Sequence, residues 1–140
     1  MRLLLSRRSA TGLLVPIAML LATACQNPFA SGRTVKLFVE DINAPAQVLP
    51  GAPINVTLTV VTGGCRSFER LDAKRSERQI VITAVGRDRG GKNISCPTNV
   101  EYEPHDYVIS GPLAFPFVVV VLQPNGTGNQ RVVNVRQPGS

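Results

Sequence analysis

Ile54-Asn-Val-Thr-Leu-Thr-Val60 alternates apolar and polar residues without a break. A period of two sets Ile54, Val56, Leu58 and Val60 on one face of a strand and Asn55, Thr57 and Thr59 on the other, the pattern of a half-buried β-strand. The same signal recurs on both sides. Thr34 to Asp41 carries Val35, Leu37 and Val39 on one face and Lys36 and Glu40 on the other, and Gln79 to Arg87 is rich in Ile and Val. Tyr102 to Ile109 is interrupted by Pro104, which places it at a sheet edge. Phe115 to Leu122 is apolar on both faces and predicts a fully buried strand, and Gln130 to Val135 returns after Pro124-Asn-Gly126, where Asn-Gly favours positive φ. Asn43-Ala-Pro-Ala46, Pro50-Gly-Ala-Pro53 and Gly63-Gly64 punctuate these runs.

One stretch is ambiguous. Phe68-Glu-Arg-Leu-Asp-Ala-Lys-Arg-Ser-Glu-Arg78 has a helix-favouring composition, with Phe68 and Leu71 three apart. The reading preferred is a strand to about Ala73 and a turn at Ser76-Glu77, with a short helix as the alternative. About seven short strands at this spacing, with no long helix, predict an all-β antiparallel sandwich. Between Thr34 and Val135 this resembles the immunoglobulin-like architecture, although the chain has no Trp and so lacks the Cys, Trp, Cys signature.

Upstream, Arg2, Arg7 and Arg8 precede the apolar run Gly12 to Leu21, a signal-peptide layout too short to span a bilayer and interrupted by Pro16. Leu21-Ala-Thr-Ala-Cys25 follows. This segment resembles the lipobox of bacterial lipoproteins, with the leucine one place further from the cysteine than usual. The resemblance implies cleavage after Ala24, lipid on Cys25, and a chain held to a membrane of the cell envelope. Gln26 fits outer-membrane sorting where there are two membranes. The alternative is an ordinary cleavage site, Ala22-Thr-Ala24, with Cys25 unmodified. Residues 1–24 are then a signal peptide, 25–33 a lipidated cysteine and short tether, 34–136 the β-sandwich domain and 137–140 a tail. If Cys25 carries lipid, the remaining two of the three cysteines, Cys65 and Cys96, are left as a pair, and in an exported chain they should be bridged. Closing that loop stabilises a fold by about 3 to 4 kcal/mol in the chain-entropy treatment.

Loss of residues 1–24 removes three of the 15 basic residues, which leaves 12 against 9 acidic ones and a net charge of +3. So mild a balance gives no reason to expect a nucleic-acid partner. Locally the charge is denser. Arg66, Arg70, Lys74, Arg75, Arg78, Arg87, Arg89 and Lys92, interleaved with four acids, form a candidate surface for anionic lipid or a wall polymer, or else an ordinary mixed-charge surface. Glu101, Glu103 and His105 share one face of a strand at i, i+2 and i+4 and are candidate metal ligands, the alternative being a solvated edge. Arg89-Gly-Gly-Lys92 lacks the spacing of a phosphate loop and reads as a turn, and the Asn-x-Ser/Thr triplets at Asn55, Asn93 and Asn125 need a eukaryotic secretory route to matter. No Ser or Cys stands in a recognisable nucleophile motif, and His105 is the single histidine. The expectation is a non-catalytic envelope lipoprotein without a cofactor, acting structurally or through a protein partner. Binding of an anionic lipid or polymer comes second, and a metal-dependent enzyme third.

Overall fold

The computed structural model describes residues 32–136. The predicted signal peptide, Cys25, most of the predicted tether and the predicted tail 137–140 lie outside the described residues. Nine strands are present among the described residues: β1 Arg33–Lys36, β2 Val39–Asn43, β3 Gln47–Val48, β4 Ile54–Thr62, β5 Arg66–Arg75, β6 Gln79–Asp88, β7 Glu101–Ile109, β8 Phe117–Leu122 and β9 Gly128–Val135. They form two sheets. The smaller runs β2-β4-β7, and the larger, curled into a half-barrel, runs β1-β6-β8-β9-β3 with β5 also paired to β6.

β4 keeps the expected alternation, with Ile54, Val56, Leu58, Val60 and Thr62 buried. Facing them from the larger sheet are Ile80, Ile82 and Ala84 of β6 and Phe117, Val119 and Val121 of β8, so the two inner faces close one apolar core. Residues 66–75 are strand throughout, and the helix alternative is not realised. Charged residues tolerate that strand because β5 is an edge, paired only to β6. The Pro124-Asn-Gly126 turn is formed with Gly126 at a φ of 86°.

Three expectations are corrected. The run Thr34 to Asp41 is two strands: Leu37 donates its N–H to Ala84 O of β6 at 2.9 Å, and the next residue, Phe38, accepts from Val61 N of β4 at 2.8 Å. The chain therefore passes from the larger sheet to the smaller one between consecutive residues, and with β3 this raises the count from seven strands to nine. The architecture is also mixed, because β6 pairs β8 in parallel and β3 pairs β9 in parallel. β7, which separates β6 from β8 along the chain, lies in the other sheet, so β8 re-enters beside β6 with the same direction. Lastly, β8 is not buried on both faces: Phe117, Val119 and Val121 are in the core, whereas Val118, Val120 and Leu122 are half-buried.

The crossing has a polar cost that a single side chain meets. At Val39 the chain has joined β4, but its own N–H and C=O turn away from that neighbour into the interior. Gln123, only 2% exposed at the end of β8, takes both: its Oε1 accepts from Val39 N at 3.0 Å and its Nε2 donates to Val39 O at 2.9 Å. Gln123→Leu keeps the bulk and strands a buried donor and a buried acceptor. It should lower unfolding free energy by roughly 2 to 4 kcal/mol, measured by urea denaturation, against less than about 0.5 kcal/mol for Gln130→Leu on the exposed face of β9.

Candidate interaction surface

β4 reaches β5 through Gly63 and Gly64, at φ of 103° and 63°. A β-carbon on Gly63 would stand 2.4 Å from Asn99 O, so the corner admits only glycine there. Directly after it, Cys65 is bridged to Cys96 with the α-carbons 5.1 Å apart, and Arg89 donates its N–H to Cys65 O at 3.0 Å. The β4–β5 and β6–β7 connections, which both cross between the sheets, are thus fastened together at one end of the sandwich.

Asp88 organises the same end. Its side chain is 8% exposed, and its Oδ2 lies 3.1 Å from Arg33 and 3.5 Å from Arg66. Gly90 donates its N–H to Oδ1 at 2.8 Å. That backbone hydrogen bond, followed by the one from Arg33 and the charges of Arg33 and Arg66, holds the Asp88 carboxyl below the usual range, against the opposing effect of desolvation.

The eight-residue basic cluster does not form one surface. Arg66 is spent on Asp88. Arg75 points to the far end of the sandwich, where it donates to the carbonyls of Ser110 and, at 2.6 Å, Pro112. Arg78 lies in the turn between β5 and β6, and Arg89 and Lys92 belong to the loop beside the disulfide. Arg70 bonds Asp72 at 2.8 Å and lies 3.4 Å from Glu69, which also pairs Arg87 at 3.3 Å. Among the described residues, Arg70 and Lys74 are the members of the eight that share a recess. They flank an open groove of about 610 Å³ on the outer face of the larger sheet, floored by Val81, Thr83, Val85 and Leu122. Lys36 stands on its opposite rim, directly across from Val85 in the β1–β6 register. Sequence reasoning missed Lys36, although its place among alternating residues already set it opposite to Val35 and Leu37. Among the described residues neither Lys36 nor Lys74 has an ion-pair partner.

Glu101, Glu103 and His105 do share a face, and it is the inner one, since they stand opposite Thr62, Val60 and Leu58. Of the three, His105 reaches β5. The His105 ring stacks on Phe68 with centroids 3.6 Å apart and an interplanar angle of 20°. Its Nε2 is 3.3 Å from Glu103 Oε2 but off hydrogen-bonding alignment, and Glu103 accepts from Thr62 Oγ1. Asp106 faces outward and takes a hydrogen bond from Thr57 at 2.6 Å. No group of three or more His, Cys, Asp or Glu among the described residues could hold a metal ion, so the metal candidate is not assembled. Strand alternation put the three on one face without telling which face it was.

The chain matches no family model, no curated protein and no solved structure. Any functional reading therefore stands on its own residues.

Because folding depresses the Asp88 pKa, this carboxylate adds stability at pH values above its unfolded pKa, near 3.9, and loses it as the pH falls through the lower folded value. Wild type should melt above Asp88→Asn at pH 6 to 7, and the two curves should converge below about pH 4. Thermal unfolding followed by circular dichroism across that range decides it; a gap that persists unchanged at pH 2 would remove Asp88 from this role.

Proposed function

We propose that the chain is an exported lipoprotein held to an envelope membrane by lipid on Cys25, the outer one where two exist, with a folded part that works by contact and not by catalysis. The observation that carries this is the partition of the three cysteines. Cys65 and Cys96 are bridged to each other, as befits an oxidising compartment, and Cys25 is the one outside that bridge, at the end of a signal-like segment. Two or three acyl chains suffice for firm anchoring at about 0.8 kcal/mol per buried methylene, whereas one does not. The immunoglobulin-like assignment belongs to the same proposal: two packed sheets around one core support it, and the parallel pairs depart from it.

A second reading is favoured by the groove. Its mostly apolar floor, and Lys36 and Lys74, which have no ion-pair partner among the described residues, suit an acidic polymer of the cell wall running along the larger sheet, without any role for nucleic acid.

Mass spectrometry of the native N-terminus should find acylated Cys25 as the first residue, and Cys25→Ser should move the protein out of the membrane fraction. An unmodified cysteine, or unchanged partitioning, overturns the anchor. For the second reading, polyglutamate should bind in a salt-sensitive way, and Lys36→Ser with Lys74→Ser should weaken it by about fivefold, with Arg78→Ser as the neutral control. Equal binding by all three proteins sinks it.

A further inference from the structure

The end of the sandwich fastened by the disulfide carries a group of exposed apolar side chains that the core does not explain. Phe38 is 46% exposed, Val100 59% and Tyr102 61%. They are neighbours. The Val61 N–H bonds Phe38 O at 2.8 Å, Tyr102 stands opposite Val61 in the β4–β7 register, and Phe38, Val61 and Val100 line one shallow concavity of about 460 Å³. Arg33, the first residue of β1, lines the same concavity, so the chain arrives in the fold at this end. A β-carbon at Gly32 would meet the Arg89 side chain at 3.2 Å, which sets another cation at the point of arrival.

We infer that this end is a membrane-contacting face, with Phe38, Val100 and Tyr102 meeting the interface of an anionic bilayer. The inference rests on the anchor reading, since lipid on Cys25 brings the face to the surface. Eight extended residues from Cys25 to Arg33 reach at most about 28 Å, and they leave the fold beside the concavity, so the bilayer is the occupant closest to hand. Aromatic rings with one apolar and one polar side suit the headgroup level, which Tyr102 satisfies. The charge is complementary as well. Arg33 and Arg66 stand on Asp88 and Arg89 lies beside Gly32, an excess of two positive charges over the one carboxylate, and an anionic leaflet attracts such a rim. Anchored through Cys25 and seated on this face, the domain stands with the Thr62 end of β4 at the bilayer and the Ile54 end away from it.

The chain contains no Trp, so one introduced indole reports alone. The full chain carrying Phe38→Trp, Tyr102→Trp or Leu49→Trp is reconstituted into vesicles of phosphatidylglycerol and phosphatidylcholine, with and without brominated phospholipid. Leu49 is equally exposed but precedes the other end of β4, and so serves as the far-end reference. The expected result is a loss of emission of about twofold for the Phe38→Trp and Tyr102→Trp proteins and little for Leu49→Trp, given an interfacial depth of roughly 5 to 10 Å. Vesicles of phosphatidylcholine alone should lessen the loss at the first two positions. Equal quenching at all three, while the protein still floats with the vesicles, overturns the face and leaves the anchor intact. Failure to float overturns both, and quenching indifferent to phosphatidylglycerol overturns the anionic preference.

Discussion

Two backbone groups of Val39 have no strand to pair with, and the fold depends on how they are satisfied. The chain changes sheets between Leu37 and Phe38, and on β2, the edge of the smaller sheet, the N–H and C=O of Val39 point away from β4 with no ladder partner. Gln123 offers an amide at the end of β8 that bonds both groups, acting as one residue of an absent strand. Because β8 is held between β6 and β9, this amide ties the larger sheet to the first strand of the smaller one. Arg131 of β9 adds a second link on the same side, donating to Ile42 O at 3.3 Å. That side of the sandwich is laced by polar bonds. The opposite seam, between β5 and β7, is closed instead by the stacking of His105 on Phe68.

Rigidity is graded from these ties. The end containing the disulfide, the Gly63 corner and Asp88 gathers a covalent bond, a sterically fixed turn and a buried carboxylate paired with two exposed arginines into a few residues. A contact face built on such an end presents side chains whose backbone is already ordered, so binding there spends little conformational entropy. The groove on the larger sheet is likewise mounted on strands, with its cations on two different ones, β1 and β5.

Much of the fold was legible in the sequence, and what was not has a definite cause. The run Val35, Leu37, Val39 gave no sign of a break because the two sheets share one core: a chain that moves from one to the other keeps the same residues pointing inward. Parallel pairing was hidden for a related reason, since alternation reports which face is buried and carries nothing about the neighbour. β5 imitated a helix because an edge strand with one solvated face can be filled with Glu, Arg and Lys. At the candidate site the cysteine pair was readable by counting, but the basic residues were not, because their sequence proximity on a hairpin sends alternate members to opposite faces. Arg75 and Lys74 are adjacent in the chain, and one caps carbonyls at the sandwich end while the other overlooks the groove.

Pro104 sits in the middle of the free edge of β7. Val61 N is used toward β2, so Thr59, of the same parity on β4, also faces away from β7, and Pro104, opposite Thr59, directs its missing donor outward. The edge is therefore interrupted where a tenth strand would seek a bond, and the lost hydrogen bond costs the domain nothing internally. Molecules confined to a plane and sharing one orientation meet edge to edge far more often than the same molecules tumbling in solution. A break of this kind lets copies crowd side by side on a surface without zipping into a continuous sheet.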